Sequence, residues 1–212
     1  MQKPNGYDEA TVMGQQKEPI TPGGHHLIIK QVNEMMSKGN PEKGIDPKPM
    51  IVVLFDFADN DPQAGLLMKE FKEDDRADKK WPFRGSQYIN VNDYNDPNKT
   101  SRQYKTFCTC YEQSTGSKIN WGDDSTAWCN QFKGKKIGGA FGNVHSVYQG
   151  REIERVELRW FISDNKVGSC DVPREKLLSE AQKAQLDNVE KKANDEDFIN
   201  IPDNLDEEIP FK

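Results

Sequence analysis

Phe132–Ser163, FKGKKIGGAFGNVHSVYQGREIERVELRWFIS, decides how the chain is read. It opens on a basic, glycine-punctuated run, Lys133-Gly134-Lys135-Lys136-Ile137-Gly138-Gly139, and ends on an alternating one. Val156, Leu158, Trp160 and Ile162 fall on one face, with Glu157, Arg159, Phe161 and Ser163 on the other. Successive side chains of a strand point to opposite faces, so the alternation predicts a half-buried strand. Tyr148-Gln149-Gly150-Arg151 lies between the two, polar with a central glycine, as a hairpin loop would be. Gly138 and Gly139 weaken a strand unless the chain bends or another backbone comes close, and they predict a strongly curved strand. The stretch reads as a long twisted hairpin with six cations: Lys133, Lys135, Lys136, Arg151, Arg155 and Arg159. Taken alone, such a ribbon is ordinarily just the solvated face of a sheet.

Outward from the hairpin, short apolar runs separated by turn signals predict more strands. Met50–Phe57, MIVVLFDF, is the most hydrophobic run and reads as a central strand. His25–Val32 reads as a strand with Leu27 and Ile29 on one face and Ile28 and Lys30 on the other. Ser86–Asn92 reads as another, with Ile89 and Val91 inward and Tyr88 and Asn90 outward. Helical spacing appears at Leu67, Met68 and Phe71, and again at Tyr104, Phe107, Cys108 and Tyr111, where Asn98 or Thr100 is the expected cap. A short helix is expected around Ser125–Phe132, and a last one from Pro173 to about Lys192. The expected fold is mainly β with inserted helices. Five strands with a helix between the third and fourth follow the order of an OB-fold barrel, here with a C-terminal helix and an acidic tail added.

Composition bounds the alternatives. The chain has 212 residues, of which 34% are hydrophobic and 30% charged. Its mean hydropathy of -0.91 suggests that part of the length is disordered. Residues 1–19 read as a loose leader, 20–178 as the folded domain, and 179–212 as a helix end running into a disordered tail. That tail holds ten acidic and four basic residues, a net of -6, which is the whole formal charge of the chain. The body is neutral, and local clustering can still give it a positive face. No run is long and apolar enough to span a bilayer, and the first residues have no apolar core of a signal peptide. A cytoplasmic protein is expected.

The cysteines at 108, 110, 129 and 170 lack paired Cys-x-x-Cys spacing; even with His25 and His26 nearby in sequence, idle thiols are the better reading. No cofactor signature is present. Asp56, Asp59 and Asp61, with Asp123 and Asp124, are the carboxylates a metal-dependent nuclease would need. The companion residues of such a site are missing, and Asp-Asn-Asp-Pro reads as a loop, so no enzyme is expected.

From about Tyr104 to Leu178 the chain resembles a family of bacteriophage single-stranded DNA-binding proteins of the OB-fold class. The residues concerned are Phe107, the Lys118-Ile119-Asn120-Trp121-Gly122-Asp123 segment, Phe132-Lys133-Gly134-Lys135-Lys136-Ile137-Gly138, the charged hairpin, and Val172-Pro173. Gly-Gly-His-His-Leu-Ile-Ile-Lys and Phe55-Asp56-Phe57 also look like the family's first strands, bringing the resemblance to about three-quarters of the chain. The end, Asp206-Glu207-Glu208-Ile209-Pro210-Phe211, is similar to the acidic tip of bacterial SSB proteins, except that Lys212 follows the phenylalanine.

The resemblance implies a protein that coats single-stranded DNA in replication or recombination. It further implies that the tail recruits replication proteins, and a homodimer is the default assembly. Non-specific strand binding needs flat rings for bases and cations for phosphates. The candidate rings are Trp81, Phe83, Tyr88, Tyr148 and Trp160; the candidate cations are Lys30, Arg84, Lys135, Lys136, Arg155 and Arg159. For most of the rings a place in the core is the plain alternative, Trp160 above all. Tyr88 is favoured because its face neighbours, Ser86 and Asn90, are polar. An OB-like adaptor that displays the tail without binding DNA is the remaining alternative.

Overall fold

The structure, a computed structural model, describes residues 17–39, 44 and 46–186. The expected disorder of the leader and tail concerns residues that lie mostly outside these. Five strands form one antiparallel sheet: β1 (Gly23–Met36), β2 (Pro49–Phe57), β3 (Ser86–Asn90), β4 (Lys136–Tyr148) and β5 (Arg151–Ile162). Their order is β3-β2-β1-β4-β5. β1 pairs with β2 from Leu27↔Phe57 to Met36↔Pro49, with the register shifting between Ile29 and Gln31, so Lys30 sits at a bulge. β1 pairs with β4 from Gly23↔Phe141 to Ile28↔Lys136. The described residues divide into two compact units, those within 17–143 with 156–174, and 144–155 with 175–186.

β2 is buried on both faces, which is why it reads as a continuous apolar run. Ile51, Val53, Phe55 and Phe57 are nearly inaccessible, and so is Asp56 between them. The ring core extends to Phe107, Phe132, Phe141 and Phe161. Phe55 lies 6.1 Å from Phe141 and 6.3 Å from Phe161, and Phe107 lies 5.2 Å from Phe161, all edge to face. Such pairs add about 0.5–1.5 kcal/mol each beyond the area they bury. On the other face of β2, Asp56 accepts from Leu67 N at 3.0 Å and Met68 N at 3.2 Å. These are first-turn amides of α1 (Leu66–Glu73), which have no partner within the helix. A buried carboxylate on a strand therefore caps the helix packed against it.

The expected closed barrel does not form. The sheet ends at β3 on one side and at β5 on the other. Helix α2 (Arg102–Thr115) bonds to or packs against both edges. Ser101, its cap, donates from its side chain to Asn90 O and from its backbone to Val91 O, at the end of β3. Cys110 Sγ reaches Phe161 O at 3.4 Å, and Phe107 packs on Phe161, at the end of β5. The cap of α2 thus bonds at the end of β3 while Phe107 and Cys110 of the helix meet the end of β5. The cap itself is Ser101, whose Oγ accepts from Tyr104 N at 3.1 Å, rather than Asn98 or Thr100.

Two further expectations are corrected, and the paired glycines have a reason beyond strand curvature. Trp160 is 46% exposed while Phe161 is 3% exposed, so the alternation of β5 breaks after Leu158. Phe161 takes the inward place because Phe55 and Phe107 meet it there. Gly138 and Gly139 answer to crowding: a Cβ on Gly138 would lie 2.8 Å from Ile162 and Val167 side chains and 3.0 Å from Ser163 O. The crowding at Gly138 comes from the end of β5 and from Val167 of the 3-10 turn Asp164–Ser169, and that at Gly139 from the side chains of Leu27, Leu158 and Phe141. No helix starts at Pro173. The chain stays extended there, Lys176 bridges in parallel to Val144, His145 N donates to Lys176 O at 2.8 Å, and helix appears only over 180–186.

The hairpin loop forms as expected. Gln149 and Gly150 both have positive φ, 49° and 72°, the conformation of a tight hairpin turn. Among the described residues no helix is long and apolar enough to cross a membrane. All four cysteines are free; burial pushes the Cys108 thiol up to about 11, away from the thiolate a reactive or metal-binding cysteine needs.

Candidate nucleic-acid interface

Trp81-Pro82-Phe83-Arg84-Gly85 leads into β3 through one 3-10 turn, Phe83–Gly85. Trp81 anchors it. Its Nε1 donates to Phe55 O at 3.2 Å and Gly85 O at 3.1 Å, and its ring lies 5.6 Å from Phe71 of α1. Gly85 permits this, since a Cβ there would stand 2.6 Å from Trp81 Nε1 and 2.7 Å from Leu67 Cδ1. The turn throws the next ring outward: Phe83 is 68% exposed. Tyr88 projects from β3 while its neighbour Ile89 is buried. The two open rings lie 6.4 Å apart with 28° between their planes. They stand on the rim of a groove of about 900 Å³ that runs along α1.

Arg84 lines the same groove, with its guanidinium engaged. Nε donates to Glu70 Oε2 at 2.8 Å and Nη1 to Glu18 O at 2.6 Å. Lys17 pairs with the same Glu70 carboxylate. Burial pulls the Glu70 pKa up, but hydrogen bonds from Lys17 and Arg84 outweigh it and hold the carboxyl below its usual value. Arg76, also on the groove, is clasped by Asp74 in a fork, which lowers Asp74 to about 2.

Four of the expected residues, Trp81, Phe83, Arg84 and Tyr88, therefore meet in one place. Trp81 serves there as the floor, its indole N–H already used by backbone. Lys30, Lys135 and Lys136 gather around the β1 bulge. Gly134 N and Lys135 O both bond to Ile29, Lys136 Nζ donates to Asn60 Oδ1 at 2.8 Å, and Lys30 lies 3.9 Å from Asp56. Arg159 donates to Arg174 O at 3.0 Å, and Trp160 is open on β5. Tyr148 and Arg155 belong to the second unit, where both are exposed. Asp206 to Phe211 lie outside the described residues.

Lys17 and Glu70 were not among the expected residues, and neither was Trp121. The Trp121 ring is 60% exposed and rests 6.1 Å from that of Trp128, which in turn stacks on Tyr104 at 6.3 Å. Its position in a turn-rich segment between two helices was the one available signal.

Three of the five carboxylates of the nuclease reading are engaged within the fold, while Asp59 and Asp123 are exposed. Asp56 caps α1, and Asp61 accepts from His26 N at 2.8 Å, Gln63 N at 2.9 Å and buried His25 at 3.1 Å. Asp124 caps the short helix α3 (Ser125–Asn130). In the second unit, His145 lies between Glu152, 2.5 Å from Nδ1, and Glu175, 2.6 Å from Nε2. Its pKa is raised, first by the bond to Glu175 and then by that to Glu152. An oxygen of Glu154 also comes within 4.8 Å of the ligand atoms of His145 and Glu175.

Among known proteins, no family model and no curated protein matches this sequence.

Proposed function

We propose that this protein binds single-stranded DNA without sequence preference through the α1–β3 groove. One observation carries the reading: Phe83 and Tyr88 hold their rings open and nearly parallel beside Arg84. Exposed rings cost solvation unless something covers them, and every base has a flat face that can. Stacking is worth about 1–3 kcal/mol per base and is indifferent to sequence. Arg84 can pair with a phosphate or lie flat on a base. The lysines at the β1 bulge, Lys30, Lys135 and Lys136, extend the backbone contacts. The sheet is then an OB arrangement opened on its closing side by α2, a form of the partly open barrel that such folds use for oligonucleotides.

The proposed setting is phage DNA replication or recombination, with Asp206–Phe211 as the segment that recruits partner proteins. Deleting residues 195–212 leaves DNA affinity unchanged or higher and abolishes that recruitment. The test of binding is titration with oligo-dT, followed by tryptophan emission. Binding is expected to quench emission, to weaken with salt, and to fall in Phe83→Ala and Tyr88→Ala. Tail-dependent capture of replication proteins without any affinity for oligo-dT would select the adaptor reading instead.

A further inference from the structure

We infer that the Glu70 carboxylate occupies a phosphate subsite made by Arg84 and Lys17, and that a DNA phosphodiester must displace it. The inference rests on the groove being the strand's site. It explains an otherwise awkward feature of that reading: the cation nearest the stacked rings is already taken. Arg84 presents Nε to Glu70 at 2.8 Å and spends Nη1 on a backbone carbonyl, so its donors are oriented before any ligand arrives. Lys17 closes on the same carboxylate from a segment 53 residues away in sequence. Two cations converging on one anion form a cradle, and carboxylate and phosphate oxygens accept the same charge-assisted bonds. Glu70 is only 14% exposed at its side chain, so its place is a built position in the wall of the groove.

Exchange of one anion for another keeps Arg84 and Lys17 paired with an anion in both states. The free protein is spared an unpaired guanidinium in a partly buried place, and the bound state gains a phosphate only after releasing Glu70. Affinity is thereby held below what the rings and cations could give. A coating protein uses such a limit, because it must also come off the strand. Glu73 lines the same groove and serves as a control for simple charge repulsion.

The experiment measures oligo-dT affinity across salt concentrations for the full-length protein, Glu70→Gln, Glu73→Gln, Arg84→Gln and the Glu70→Gln/Arg84→Gln pair. Glu70→Gln is expected to bind roughly tenfold tighter, the scale of a charge-assisted bond no longer contested. Its plot of log affinity against log salt should steepen, by at most about 0.7, because no released Glu70 carboxylate takes up a cation on binding. Arg84→Gln should cost more in the Glu70→Gln background than in the native one. Circular dichroism of each variant confirms that it is folded.

Equal tightening in Glu73→Gln, or additive effects of Glu70→Gln and Arg84→Gln, would overturn the subsite and leave only general repulsion. If Phe83→Ala and Tyr88→Ala weaken binding while Glu70→Gln does not strengthen it, the competitor falls and the groove stands. Absence of DNA binding by native protein and Glu70→Gln alike overturns both.

Discussion

The hairpin and the α1–β3 groove make opposite cases for the same task. The hairpin carries six cations in 27 residues, from Lys133 to Arg159, and dominates the sequence. In the folded chain those charges have different surroundings. Lys135 and Lys136 sit at the β1 bulge, Arg159 is turned onto Arg174 O, and Arg151 and Arg155 belong to the second unit. The groove has no such run of charge, and Glu70, Glu73 and Asp74 temper what it has. Yet it holds two open rings and an oriented arginine within one short turn and strand. Charge density along a chain says little about a binding surface until the fold has decided which charges remain neighbours.

Removing each region's contribution tells the two apart. Phe83→Ala with Tyr88→Ala should lower oligo-dT affinity by about tenfold or more, since each stacked base contributes about 1–3 kcal/mol. Lys135→Ala with Lys136→Ala should cost less at physiological salt and should flatten the salt dependence by about 0.7 per phosphate lost. The reverse ranking would return the strand to the hairpin.

Next in size is Gly85→Ala. Its Cβ would press on Trp81 Nε1, Leu67 Cδ1 and Phe55 O, the last at 3.0 Å. About 1–3 kcal/mol of stability should be lost in urea unfolding, as for other overpacked sites. Binding should weaken with it, because Trp81 holds the turn that carries Phe83. A variant as stable as the native protein would show that the turn has room to shift.

The smallest effects are those of pH, and they run in opposite directions in the two units. The Glu70 pKa is held below its ordinary 4.5, so its ion pairs stabilise fully above that value. They are lost as pH falls through the lowered one. The His145 pKa is raised above its ordinary 6.5, so its bonds to Glu152 and Glu175 stabilise fully below 6.5 and are lost as pH rises through the raised value. Hydrogen exchange at the His145 amide, which donates to Lys176 O, should therefore speed up beyond its intrinsic rate as pH rises above 6.5 and through the raised pKa. His145→Gln should remove that excess. An unchanged profile would mean that the extended segment is held without the imidazole.

Much of this was legible because the signals were local. The apolar run of β2, the outward Tyr88 beside inward Ile89, and the polar Gln149-Gly150 turn each follow from neighbours in the chain. What stayed hidden depended on distant groups. Alternation put Trp160 inward, but Phe55 and Phe107 select Phe161 instead. Pro173 reads as a helix start, but the Lys176 carbonyl is claimed by His145 from another strand. Strand order alone suggests a closed barrel, and it does not reveal that α2 and its cap Ser101 bond at both edges. Likewise Lys17, Glu70 and Arg84 share no periodicity, and the cradle they form exists only once α1 faces the turn before β3.

The most direct test is photochemical cross-linking of oligo-dT to the full-length protein, with the attached peptides identified by mass spectrometry. The account predicts cross-links on the segment containing Phe83 and Tyr88. Cross-links confined to Tyr148, Trp160 and the rest of the hairpin would contradict it.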